Sequence, residues 1–348
     1  MKLAPLVLRY QADFERKYAS RLTPEIRHAM AVVLACRTER YGKMRLSCPS
    51  CLASAEQCHS CGHRSCPSCQ QYDTGQWLAR QENKLLPADY YMVTFTLPQE
   101  FRSFAWRYQR EVYALLFRCA MDTLRTFSRN DKHLGGELGM TGVLHSHSRS
   151  LTFHPHVHVI VPGGCLLKAR RQWKKHRGQY LFKPENLARV FRGKFLAALR
   201  EAGFYLPKRY PRQWVAHCKH VGKGLPALQY LSRYLYRGVI SENNILADDG
   251  THVCFQYKDS KSDSMKRCRL PGEDFLWRVF QHVLPKGFRR VRDYGFLHGN
   301  AAKTRRLIQL LLRVRLPIPK PKPRPRFMCK QCNCPMNIVA FIRPTLSG

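Results

Sequence analysis

Residues 154–164 read HPHVHVIVPGG, and this stretch decides the fold. β-branched residues alternate with imidazoles from His156 to Val161, the period-2 pattern of a strand. His156 and His158 therefore share one face, while Val157, Val159 and Val161 point into the opposite layer. Two imidazoles two residues apart on a rigid strand can hold one metal ion. A three-letter pattern also recurs by chance in surface strands, so the rest of the chain must carry part of the argument.

Working outward, GMTGVLHSH (139–147) reads as a preceding strand, joined by a short polar connection. If the two pair, His145, eleven residues before His156, reaches the same metal. His147 shares its face but lies further along, and His154, beside Pro155, suits the strand entry. YYMVTFTLP (90–98) is another strand and QWVAHCKHV (213–221) is extended. Helical patterns are expected over residues 6–19, 24–41, 99–128, 185–202, 226–238, 273–284 and 299–315. Thr23-Pro24-Glu25 supplies a capping hydroxyl, a proline at the first helical position and an acid at the positive helix end. Asp248-Asp249-Gly250 marks a hairpin. Strands adjacent in sequence, interleaved with helices, indicate an α+β fold with a central antiparallel sheet flanked by helices.

The chain has 348 residues and a formal net charge of +37, from 60 Lys and Arg against 23 Asp and Glu. That excess implies a polyanionic partner, with nucleic acid first. No apolar run is long enough for a spanning helix, so a membrane partner is not expected. The first residues reach a charged helical pattern too early for a secretory signal, and a cytoplasmic protein is expected.

Fifteen cysteines in such a chain favour thiolate metal ligands over disulfides. In CPSCLASAEQCHSCGHRSCPSCQ (48–70), Cys48-x2-Cys51 and Cys66-x2-Cys69 suggest one four-thiolate zinc ribbon. Cys58, His59, Cys61 and His63 are further potential ligands, able to exchange into that site or make another. Residues 48–70 are too rich in turns and cysteine for ordinary helix or sheet. Cys329, Cys332 and Cys334 form a half-site that needs a fourth ligand from elsewhere. Before it, LPIPKPKPRPRF (316–327) alternates proline with basic residues and reads as an extended linker. The expected division is 1–86 (helices and a zinc-binding domain), 87–316 (the domain of the histidine strands) and 317–348 (basic linker and cysteine tail).

In QYLSRYLYRG (229–238), Tyr230 and Tyr234 lie four apart, one helical turn. Leu228, Leu231 and Leu235 make a separate stripe able to pack on the sheet. Tyrosines at such spacing are usually packing residues. Arg233 and Arg237 beside them are placed to bind DNA phosphate or lower a phenol pKa, or else to face solvent.

Taken together, ACRTERYG, CGHRSCPSCQ, VTFTLP, HPHVHVIVPGG, YLSRYLYR and VRDYGFLHGN, in this order, resemble the two-tyrosine HUH transposases of the insertion-sequence-91 family. The likeness runs along most of the chain. It implies an N-terminal zinc domain followed by an HUH nuclease domain that moves DNA by a rolling-circle route. His156 and His158 match the HUH motif, and Tyr230 and Tyr234 match the Tyr-x3-Tyr pair. The cluster His145, His156 and His158 is also similar to that of conjugative relaxases. The resemblance implies a catalytic Mg2+ or Mn2+ beside a structural Zn2+. It further implies single-stranded ends of the mobile element as substrate and a 5′-phosphotyrosine intermediate. A replication initiator or relaxase with the same chemistry, and an inactive zinc-containing DNA-binding regulator, are the competing readings. LHSHSRS, with Arg149, and the extra Cys334 depart from the family pattern without removing a catalytic group.

Overall fold

The computed structural model describes residues 1–69, 71–235, 239–259, 262–315 and 326–344; the side chains of residues 71–73 and 233–235 lie outside the description. The chain opens with helices α1 (Leu3–Lys17) and α2 (Pro24–Ala35), then strands β1 (Lys43–Ser47) and β2 (Ser54–Cys58) and helix α3 (Gln71–Glu82). Next come β3 (Tyr90–Thr96), α4 (Arg102–Arg107), α5 (Gln109–Asn130), β4 (Gly139–His147) and β5 (Phe153–Pro162). β6 (Gly164–Leu167), β7 (Gln172–Lys175), α6 (Pro184–Glu201), β8 (Ala216–His220) and α7 (Leu225–Leu235) follow. The remainder is β9 (Ile245–Asp248), β10 (His252–Lys258), β11 (Met265–Pro271), α8 (Gly272–Phe280), β12 (Val291–Gly295), α9 (Ala302–Leu311) and β13 (Asn337–Ile342).

The central sheet has the order β12-β4-β5-β3-β8, with every neighbour antiparallel. Its two faces follow from strand alternation. One face presents Tyr91, Val93, Phe95, Val157, Val159 and Val161 to α5 and α6, and these form the largest core. Gly142 lets α5 approach closely, since a Cβ there would lie 2.9 Å from Met121 Cε and 3.0 Å from Phe117 Cε1. The other face carries Val143, Ile160 and Tyr90 beneath Trp77 of α3 and Ala227, Leu228 and Leu231 of α7. The expected leucine stripe therefore seats α7 on the sheet through Leu228 and Leu231, while Leu235 lies outside the described side chains.

Local chemistry explains where the elements depart from expectation. α2 stops at Ala35 rather than continuing to residue 41. Thr38 terminates it by donating its hydroxyl to Ala35 O and accepting the Arg40 amide, and Arg37 takes a positive φ of 60°. The helix expected over 99–128 is broken at Tyr108, which separates α4 from α5. Residues 48–70 do include sheet, because β2 pairs with β1 in a short hairpin.

Residues 1–86 are not self-contained. α1 and α2 share a core with α8 and the β9–β11 sheet, through Phe14, Met30, Phe255, Phe275 and Phe280. Arg64 adds a second tie, donating to Leu284 O, Pro285 O and Phe288 O at 3.0, 2.8 and 2.7 Å. The tail beyond 325 also joins this part of the molecule, since β13 pairs antiparallel with β1. Residues 316–325 of the basic segment lie outside the described residues. No helix among the described residues is long and apolar enough to cross a membrane.

Leu231 is fully buried where α7 meets the sheet. Leu231→Ala should cost about 3 kcal/mol, the usual range for a leucine truncation that leaves a cavity. A urea titration would check it: an unchanged midpoint would mean that α7 does not rest on the sheet.

Candidate active site and metal centres

The sheet brings the three predicted histidines together. His145 of β4 is the direct cross-strand partner of His156 on β5, and His158 follows two residues on, on the same face. The ring centroids are 4.4 Å apart for His145–His158, 4.8 Å for His156–His158 and 5.2 Å for His145–His156. One ligand nitrogen from each lies within 4.8 Å of the others. Immediately beyond His145 the β4–β5 register shifts. This irregularity carries His147 out of the cluster toward His282, at a centroid distance of 5.1 Å. His154 is also separate, its Nδ1 accepting from Arg102 at 2.8 Å.

Hydrogen bonds orient two of the three rings. His156 Nδ1 donates to its own strand at His154 O, 2.7 Å away, so the Nε2 lone pair is left for a ligand. His158 Nδ1 lies 2.8 Å from Thr94 Oγ1, on the strand position directly opposite. His158 Nε2 is buried and has no hydrogen-bond partner among the described residues. Burial holds His145 and His156 well below the ordinary histidine range and pushes His158 down to about 4, so all three are neutral at physiological pH. Neutral, converging imidazoles with oriented Nδ1 atoms are the donor set that a metal ion requires.

α7 places Tyr230 over this cluster. Its ring stands perpendicular to that of His158, 6.3 Å between centroids. Residue 234 follows one turn later on the same helix, but its side chain and that of Arg233 lie outside the description, as does Arg237 altogether. Beside the sheet, a cavity of about 390 Å³ is lined by Arg64, Arg80, Lys84, Arg289, Arg290 and Asp293. The main chain of Arg290 reaches the cluster strand, accepting from Leu144 N. Composition implied such a basic surface, but only the fold gathers residues this far apart.

The cysteines gather into two sets, not the expected one. Cys66 and Cys69 lie with Cys36 and Cys61, while Cys48 and Cys51 lie with Cys329 and Cys332. The β1–β2 hairpin keeps the two expected pairs apart. Cys48 and Cys51 occupy its turn, whereas the chain leaves β2 at Cys58, opposite Lys43, at the far end. Five strand residues span about 15 Å, far beyond the reach of one ion. Of the further candidates, Cys61 joins a set. Cys58, His59 and His63 do not; Cys58 ends β2, His59 stacks on Phe341 and His63 packs edge-on against His28. Cys36, just past α2, was not foreseen, since a single cysteine after a helix gives no spacing signal.

A family model described as "Transposase zinc-binding domain" matches residues 6–97, and one described as "Putative transposase" matches residues 139–305. The "Transposase for insertion sequence element IS801" of Pseudomonas savastanoi pv. phaseolicola is 30% identical over 291 residues, 76% of this chain and 68% of that protein. A "Putative transposase y4qJ" of Sinorhizobium fredii is 33% identical over 331 residues, covering 88% of this chain and 83% of that one. The chain belongs to the insertion-sequence-91 family of transposases. The transposase is thus a DNA-binding nuclease and strand transferase of the rolling-circle type, and the replication-initiator reading is not favoured. Its zinc-binding domain contains all of Cys36, Cys61, Cys66 and Cys69, whose Sγ atoms lie 3.5–3.7 Å apart in the pairs Cys36–Cys69, Cys61–Cys69 and Cys36–Cys66. Four thiolates at such separations suit tetrahedral zinc. The conjugative relaxase TrwC, solved in complex with mutant OriT DNA, is 15% identical with a TM-score of 0.29, covering 63% of this chain and 72% of that one.

Buried neutral histidines should make the transposase less stable in acid. His282 donates Nε2–H to Leu151 O at 3.0 Å and is pushed down to about 3 by burial. The unfolded chain takes up this proton below about pH 6.5, whereas the fold does not. The stability it contributes is therefore present above that pH and is lost as pH falls toward 3. His282→Gln, in protein stripped of metal, should flatten the dependence between pH 6 and 4 by about 1.4 kcal/mol per pH unit. Denaturant midpoints measured across that range would show it; an unchanged slope would mean that His282 is protonated in the fold.

Proposed function

We propose that this transposase nicks single-stranded DNA at the ends of its own element, with Tyr230 and Tyr234 as nucleophiles. His145, His156 and His158 would hold the catalytic Mg2+ or Mn2+. The observation that carries the reading is the placement of the Tyr230 ring against His158 at the only three-histidine cluster among the described residues. The oriented Nδ1 atoms and the unpartnered buried Nε2 of His158 support metal occupancy. When bound, the ion supplies Lewis acidity to a scissile phosphate oxygen.

The chain's own residues then account for the chemistry. The Tyr230 hydroxyl loses its proton and attacks phosphorus; the tyrosyl O–P bond forms as the bond to the 3′ oxygen breaks. The result is a 5′-phosphotyrosine and a free 3′-hydroxyl, which conserves a phosphodiester and needs no ATP for rejoining. Tyr234, a turn further along α7, provides a second linkage, so one strand stays attached while another is cut. Thr94 fixes the His158 ring. The cavity cations Arg80 and Arg289, together with Arg233 and Arg237, bind the backbone without reading sequence. Zinc at Cys36, Cys61, Cys66 and Cys69 holds the end of α2 against the start of α3, beside that cavity.

Three measurements test this. Tyr230→Phe with Tyr234→Phe should form no covalent adduct with labelled single-stranded end DNA on a denaturing gel, and an adduct that persists would place the nucleophile elsewhere. Thr94→Val keeps the packing but removes the hydroxyl beside His158. It should raise the Mn2+ concentration needed for half-maximal nicking by about tenfold, the usual effect of losing a partner of a metal-bound histidine. Excess Mn2+ should restore the rate; an unaltered Mn2+ requirement would argue against His158 as a ligand. Arg80→Ala with Arg289→Ala should reduce the salt slope of single-strand binding by about 1.4, two phosphates' worth. An unreduced slope would remove the cavity from the DNA path.

A further inference from the structure

We infer that Cys48, Cys51, Cys329 and Cys332 form a second zinc site, built from two knuckles at opposite ends of the chain. The family's zinc-binding domain, residues 6–97, holds only half of it. The four Sγ atoms all lie within 4.8 Å of one another, with Cys48–Cys332 at 3.4 Å and Cys51–Cys329 at 3.6 Å. Disulfide-bonded sulfurs would stand about 2.05 Å apart. Tetrahedral zinc, with bonds of about 2.3 Å, sets its thiolates at about 3.8 Å.

A second, independent observation is that the two knuckles have the same backbone. In the first, Cys48 N donates to Ala53 O at 2.9 Å and Leu52 N donates to Cys48 O at 3.0 Å. In the second, Cys329 N donates to Cys334 O at 2.9 Å and Asn333 N donates to Cys329 O at 3.0 Å. The fourth residue after each leading cysteine takes the left-handed conformation, Leu52 at φ 60° and Asn333 at φ 55°. The strain at Leu52 is informative, because an exposed leucine gains nothing locally from a positive φ. It is accounted for if the turn must aim two sulfurs at one point.

The partner thiols could not be found by spacing, since Cys51 and Cys329 are 278 residues apart. β13 brings the second knuckle in by pairing with β1, and Leu46, Cys48, Cys329 and Met336 form a small core beneath the sulfurs. An all-thiolate set with no open position selects a structural ion, and zinc over magnesium or calcium. The site clasps the tail onto the N-terminal hairpin and is independent of the cutting chemistry.

Full-length protein, purified under reducing conditions, should contain two zinc ions per chain by elemental analysis. Cys329→Ser with Cys332→Ser should lower this to one, and Cys334→Ser should leave two. A double variant that keeps two zinc ions would overturn the site, as would iron in place of zinc. Because the double variant could misfold, the unaltered protein supplies a second measurement. Cys51 and Cys332 are exposed, as free thiols that react readily would be. N-ethylmaleimide mapping by mass spectrometry should find both protected until a chelator is added. Immediate labelling of both would overturn the proposal, as would protection released by a reductant instead of a chelator.

Discussion

The antiparallel register of β4 against β5 is the constraint on which the molecule depends. It pairs His145 with His156 across two adjacent central strands and buries their opposite faces against α5 and α6. A slip of one residue would turn every imidazole into the apolar layer and every valine toward α7. The cost of burying Val157, Val159 and Val161 correctly is thus what fixes the histidine geometry. The same face must also accept α7, and the leucines that seat it, Leu228 and Leu231, flank Tyr230 on that helix. Core packing and the reacting groups are set by one alternation.

That alternation is why four of the five strands of the central sheet were legible, the edge strand β12 being the exception. Period-2 patterning, β-branched residues and the turn at Asp248-Asp249-Gly250 are local signals, and each strand they mark is present. The triad was legible for the same reason, given one assumption about pairing. What escaped was information held between distant elements. Thr94 became a neighbour of His158 only through the β3–β5 register, and the cavity cations come from three separate stretches.

The cysteines show the limit most clearly. A C-x-x-C pair announces a knuckle but says nothing about which other knuckle it faces. Sequence proximity suggested that Cys48 and Cys51 belong with Cys66 and Cys69, yet a five-residue hairpin is enough to separate them. Cys36 gave no spacing signal, although Thr38 did hold the information that α2 ends before it. In the structure the thiols expected in one ribbon belong to two separate clusters, one between the end of α2 and the start of α3 and one between the β1–β2 turn and residues 329–332.

The pairing of β13 with β1 also has a consequence for how the protein is made. β1 emerges early from the ribosome, but its partner follows almost three hundred residues later, which at ordinary elongation rates is a delay of about 15–60 s. Until then the nascent chain carries only the β1–β2 hairpin, and an isolated two-stranded hairpin is marginal in water. Completion of this small sheet therefore waits until residues 337–342 have been made. Until β13 is in place, β1 is an open strand edge, the kind of backbone surface on which chains pair wrongly.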